Sequence, residues 1–190
     1  MKHIVMHPRI LLVGLSLLLM PLCAAPSYGR PVALDNEIQV SGGFFHAQGA
    51  ESGTLTADVS YGRYFANPAL QLGIRQALNY TFIDDASDAW LATTVPFFNY
   101  HFYGVTRDDR FVPYVGLFTG VVWNDEDATG TLGPQVGGKF FLNEWTFLQL
   151  GYRYEWFFNR LSRGGLTDRG DEGNHVVSIG LGFLWGGPRP

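Results

Sequence analysis

The chain has 190 residues, with 13 basic and 17 acidic side chains for a net charge of −4, 24 glycines and aromatic residues at 15%. An acidic chain without a basic cluster lacks the electrostatic footprint of a nucleic-acid-binding protein. Its single cysteine, Cys23, falls in a leader-like segment, so the remainder carries neither disulfides nor a cysteine-based metal site.

In chain order, Lys2 and Arg9 give a basic start, and Ile10 to Met20 is an uninterrupted run of apolar, Gly and Ser residues. That run is shorter than the roughly 20 residues a spanning helix needs and suits the core of a secretory signal peptide. The expected division is therefore a signal peptide over 1–25, with its cleavage site between 24 and 29, and one domain over 26–190. Cleavage after Ala25 would place Pro26 first, which the peptidase disfavours, so Ala24 and Gly29 stand as equal alternatives. Pro21 and Leu22 replace the small residues expected before a lipidated cysteine. Cleavage after Ala24 leaves 11 basic against 17 acidic residues, a net charge of −6. No later stretch is long and apolar enough for a membrane helix, so entry into a membrane requires a closed barrel.

Period-two alternation dominates the rest of the chain, and no segment carries a helical stripe. Eight strands are predicted, over 37–46, 54–65, 69–82, 89–103, 111–123, 131–142, 145–158 and 175–185. Asn67-Pro68 and Asn143-Glu144 mark tight turns, and Gly104 to Arg110 a moderately short one. The alternate links, 47–53, 83–88, 124–130 and 159–174, are longer, polar and mostly acidic. Short turns alternating with long loops are the plan of a transmembrane barrel, and an even strand count puts both termini on the short-turn side. Pro96 cannot donate to a ladder, so a bulge or edge irregularity is expected in the fourth strand.

Alternation separates two faces on each strand. In the second strand Leu55, Ala57, Val59 and Tyr61 oppose Thr56, Asp58, Ser60 and Gly62. In the seventh, Leu148, Leu150, Tyr152, Tyr154, Trp156 and Phe158 oppose Gln149, Gly151, Arg153 and Glu155. The interior of an eight-stranded barrel is just wide enough for side chains to fill. The aromatic-rich faces would overcrowd it, whereas the small and polar faces fit, so the apolar faces are assigned to lipid. Tyr61, Tyr80, Trp123, Trp156 and Trp185 fall near strand ends, where interfacial girdles lie. The expected fold is an all-β, eight-stranded, antiparallel up-and-down transmembrane β-barrel.

Ser178, Gly180, Phe183 and Trp185 form a polar-x-Gly-x-x-aromatic-x-aromatic pattern in the last strand. It resembles the C-terminal signal read by the outer-membrane assembly machinery, although Gly186 to Pro190 follow where that signal usually ends the chain. The strings RFVPYVGLFTGV (110–121), QVGGKFFL (135–142) and LQLGYRYEWF (148–157) resemble the outer membrane protein β-barrel domain family, which includes OmpA-like and OmpX-like eight-stranded barrels. The resemblance spans essentially the whole mature chain. It implies residence in the outer membrane of a Gram-negative bacterium with both termini periplasmic, and the assembly machinery and outer-membrane lipids, including lipopolysaccharide, as partners. It implies no chemistry, which has to be argued from a site.

The lumen is expected to hold Asp58, Arg75, His101, Lys139, Arg153 and Glu155, paired because an isolated buried charge is very costly. Such a network either plugs the lumen or lines a narrow channel for ions or small solutes. A third reading is a lipid A-modifying enzyme with a Ser/His/acid set. His175 and Ser178, three apart on a strand, point to opposite faces, and Tyr152 to Glu155 (YRYE) stands where a His-x-Ser element would be wanted; no catalytic set is expected. Asp84, Asp85 and Asp88, like Asp125, Glu126 and Asp127, lack the ligand spacing of a calcium loop, so neither metal nor cofactor is expected. Arg160, Arg163 and Arg169 in the longest loop could meet lipopolysaccharide phosphates. The preferred reading is a structural or surface-interaction barrel with a largely plugged lumen and no catalysis.

Overall fold

The computed structural model describes residues 29–46, 52–83, 89–106, 108–125, 128–158 and 174–188. Eight strands succeed one another: β1 (Asn36–His46), β2 (Ser52–Tyr64), β3 (Leu70–Ile83), β4 (Ala89–His101), β5 (Phe111–Trp123), β6 (Ala128–Phe141), β7 (Thr146–Phe157) and β8 (Asn174–Trp185). Each pairs antiparallel with its sequence neighbour, and β1 pairs with β8 from Asn36↔Trp185 to Gly42↔Ile179, closing the barrel. Closure removes both sheet edges and satisfies the backbone within the wall, which a membrane interior demands. No helix among the described residues is long and apolar enough to cross a membrane.

The two tight turns form as their sequences predict. Asn67 accepts the Ala69 N–H through Oδ1 at 3.0 Å, and Asn143 accepts those of Trp145 and Thr146 at 2.8 and 2.9 Å. Both are asparagine side chains mimicking a backbone turn. β6 begins three residues earlier than predicted, because Ala128 to Gly130 continue the ladder opposite Val121 to Trp123. Gly130 misleads as a loop signal; it sits against the Phe158 ring, which a Cβ there would strike. The link to β5 shrinks to residues 124–127.

Pro96 produces no bulge. The β4–β5 register is the same on either side of it, Thr94↔Val121 and Phe97↔Phe118, with only Val95 and Pro96 dropping out of the ladder. The missing N–H interrupts pairing without adding a residue. Pro134 does the same between β6 and β7, where Leu132↔Trp156 and Gln135↔Arg153 flank an unpaired step in constant register.

Apolar side chains line the outer wall: Val40, Val59, Leu72, Leu117, Leu150, Val177 and Ile179 each expose half or more of their surface. Tyr61, Tyr100, Phe102, Phe183 and Trp185 ring the short-turn end of that wall, and Trp123, Trp156 and Phe158 the other. A continuous apolar exterior of this size is incompatible with water and fits a lipid surround with aromatic girdles.

Inside, size is distributed unevenly. β4 and β5 turn large residues inward, among them Val95, Phe97, Tyr114 and Phe118, while β6 to β8 answer with Gly133, Gly137, Gly151, Gly180 and Gly182. The Phe147 ring lies so close over Gly182 that a side chain there would displace it. At Gly133 a Cβ would run into the backbone carbonyl of Tyr154, which cannot rotate away. Gly133→Ala is therefore expected to destabilise the barrel by about 1–3 kcal/mol through overpacking. A lowered urea midpoint, followed by tryptophan fluorescence in lipid vesicles, checks this; an unchanged midpoint would show that the wall gives way cheaply.

Candidate functional site: the charged lumen

Period two places one residue in every two of each strand inside the barrel. All six residues expected in the lumen point there: Asp58, His101, Lys139, Arg153 and Glu155 are buried, and Arg75 reaches inward from β3. They divide into two groups stacked along the barrel axis.

Nearer the short-turn end, Lys139 Nζ donates to Glu37 Oε2 at 2.6 Å and to Tyr64 Oη at 2.8 Å. Tyr64 Oη in turn donates to Glu37 Oε2 at 2.8 Å and stands 3.5 Å from His101 Nε2. The ammonium also lies 5.0 Å from the Phe147 ring centre, 5.4 Å from Tyr64 and 5.7 Å from Tyr114, so aromatic faces replace part of its hydration. Towards the end of the barrel Tyr64, Val112, Phe141, Phe147 and Leu184 pack into an apolar plug, with Tyr103 against it. Tyr103 Oη donates to the Pro68 carbonyl at 2.7 Å; burial, reinforced by Glu37, raises its phenol pKa and keeps that donor protonated.

The chain before β1 closes the same mouth. Asp35, fully buried, accepts the Val32 and Gly187 N–H groups at 2.9 Å each, and Leu34 N–H bonds to Phe65 O at 3.3 Å. Arg30 pairs with Asp109 across the rim at 2.9 Å.

The second group lies deeper. Arg153 donates from Nε to Glu155 Oε1 at 2.7 Å and from Nη2 to Asp58 Oδ1 at 3.3 Å, so one guanidinium serves two carboxylates. Between the groups runs a directional chain of amides. Arg75 Nη1 donates to Gln135 Oε1 at 3.0 Å, Gln135 Nε2 to Asn99 Oδ1 at 2.6 Å, and Asn99 Nδ2 to Gln71 Oε1 at 3.1 Å. Arg75 lies between the Phe97 and Phe118 rings, 5.9 and 5.3 Å from their centres. Its Nε and Nη2 have no hydrogen-bond partner among the described residues, and the side chain lines a polar cavity of about 20 Å³. That is room for about one water molecule.

Glu37 is the charged member of the network that sequence reasoning missed, alongside the neutral Tyr64, Asn99 and Gln135. Its signal was available: Glu37, Gln39 and Ser41 alternate with Ile38 and Val40, which places the glutamate inward at the start of β1. Without Glu37 the partner of Lys139 could not be named.

The remaining expected residues do not gather at this site. His175 lies on the outer face, its Nδ1 2.7 Å from Tyr152 Oη and its ring against Tyr154, while Ser178 is buried inside. The two do not meet. In the last strand Ser178 and Gly180 face in and Phe183 and Trp185 face out, Trp185 beside Tyr61 in the girdle at 6.2 Å between ring centres. No group of three metal-ligating side chains occurs among the described residues. Asp84, Asp85, Asp88, Glu126, Asp127 and the arginine-bearing loop over 159–173 lie outside the described residues, as does the expected signal peptide.

These features define a small, closed, eight-stranded β-barrel of the outer-membrane type, apolar outside and polar within. Solved structures share it. The crystal structure of Neisserial surface protein A matches 80% of this chain and 96% of its own at 15% identity, with a TM-score of 0.57. The outer membrane protein OprG from Pseudomonas aeruginosa matches 84% and 99% at 15% identity, with a TM-score of 0.54. The N-terminal β-barrel domain of Pseudomonas aeruginosa OprF aligns over 80% and 98% at 18% identity, with a TM-score of 0.44. No protein-family model and no curated protein sequence matches the chain. At these identities the likeness establishes the fold, as the resemblance in the strand motifs implied.

Proposed function

We propose that the protein is a non-catalytic barrel of the Gram-negative outer membrane, with both termini periplasmic, a lumen closed by its own side chains and a structural or surface-interaction role. The observation that carries this reading is the packing inside the barrel: among the described residues an apolar plug, two ion-pair groups and an amide chain surround a central cavity of about 20 Å³. A path for solutes would require breaking buried ion pairs, each costly to open. The opposite orientation of His175 and Ser178 supports the absence of acyl-transfer chemistry. Contact with lipopolysaccharide through Arg160, Arg163 and Arg169 belongs to the same reading, since loops on rigid barrels commonly carry recognition. Planar-bilayer recording tests the closed lumen. The wild-type barrel is expected to add no steady conductance above the lipid baseline; regular, reproducible steps would instead favour a narrow channel.

A further inference from the structure

The outer wall carries an apolar groove of about 470 Å³ at the short-turn end of β2 and β3. Its volume falls within the roughly 300–1,000 Å³ of small-ligand sites. Tyr61, Phe65, Leu72, Ile74 and Pro96 line it from the barrel wall, and Leu34 closes it from the segment before β1. Leu34 holds a φ of 67° and leaves nearly half its side chain exposed. Left-handed backbone is uncommon for a branched, non-glycine residue, and such strain persists only where surrounding contacts fix it. Here the Leu34–Phe65 backbone bond and the buried Asp35 cap do so.

Arg63 stands at the same groove, one residue from the end of β2, between Asn36 and Leu72 in the register. It is exposed on the outer wall and makes no ion pair or hydrogen bond with any described residue. Nearby, Tyr61 Oη donates to Asn36 Oδ1 at 2.7 Å, which fixes that part of the aromatic girdle at the level of the interface. A guanidinium without a protein partner, at girdle height above an apolar groove, complements a molecule with a phosphate at one end and acyl chains at the other.

We propose that this groove binds one anionic glycerophospholipid, its phosphate on Arg63 and an acyl chain along Leu72, Ile74 and Pro96. On the proposed orientation this is a site of the periplasmic leaflet. The inference rests on the membrane reading and narrows it from a general lipid surround to one selective site. Ordinary surrounding lipid would exchange without preference for this groove.

Native mass spectrometry of the full barrel in detergent, titrated with phosphatidylglycerol, tests the site. Each preparation is first checked for a heat-dependent gel shift. The wild type is expected to keep a single phosphatidylglycerol adduct under activation that strips additional lipids. Arg63→Gln should lower its retention by about tenfold, the loss of a charge-assisted hydrogen bond. Ile74→Trp, which fills the groove and leaves Arg63 in place, should lower it as well; should that variant fail to fold, Leu72→Trp replaces it. Equal retention in the wild type and a folded variant overturns the site, as does a wild type that shifts normally but keeps no adduct. Absence of the gel shift in the wild type itself overturns the membrane reading and the groove with it.

Discussion

Arg153→Met is expected to destabilise the barrel more than any other single change in the lumen. The guanidinium is the ion-pair partner of both Asp58 and Glu155, and all three side chains are at most 5% exposed. Removing it leaves two carboxylates buried together, with Ser41 Oγ, 3.4 Å from Asp58, their remaining hydrogen-bond partner among the described residues. Breaking one buried pair typically costs about 3–5 kcal/mol, and here two anions lose the same cation. The loss should therefore reach or exceed about 5 kcal/mol, enough to abolish folding in a barrel of ordinary marginal stability. Arg75 gives no full rescue, being held by Gln135 and the two phenylalanine rings. Urea unfolding in lipid vesicles measures the effect. The triple replacement Arg153→Met, Asp58→Leu and Glu155→Met should recover most of it, because an apolar set of similar volume needs no partners. A wild-type midpoint for the single variant would contradict the ion-pair geometry.

Glu37→Gln should rank second. It leaves Lys139, which is 1% exposed, without a countercharge, its acceptors reduced to the Tyr64 hydroxyl and the neutral oxygen of the replacing amide. Three aromatic faces soften the penalty by attracting the ammonium, so the expected loss is about 3 kcal/mol, the lower end for a broken buried pair. Lys139→Met combined with Glu37→Leu should return the midpoint to within about 1 kcal/mol of the wild type. The same urea series separates the cases: additive losses in the double variant would mean the two residues do not act as a pair.

Much of this arrangement was legible from alternation alone. The faces of β2, β3 and β7 are fixed once one strand residue is known to point outward, so Asp58, Arg75, Arg153 and Glu155 could be placed in the lumen without coordinates. Partner identity was not legible. Glu37 and Lys139 are 102 positions apart, on β1 and β6, and the closure of the barrel brings them within 2.6 Å. The inward aromatics of β4 and β5 were also hidden, because a strand with large residues on both faces shows little alternation. They become intelligible only opposite the glycines of β6 to β8. Of the two outcomes expected at Pro96, the irregularity occurs and the bulge does not: the missing donor interrupts the ladder but leaves the residue count of the strand unchanged. The short segment before β1 gave no periodic signal, since its role is to close a mouth through Asp35 and Leu34 rather than to pair as a strand.

An apolar outer face and a paired, charged inner face are expected to give a shell that resists detergent until it is heated. Gel electrophoresis of purified outer membranes, comparing unheated and boiled samples, tests this most directly. The protein is expected to sediment with the outer membrane, and its unheated band to migrate faster, as a compact barrel does. Recovery in the soluble periplasmic fraction, with no heat-dependent shift, would contradict the assignment and require the apolar faces to point inward.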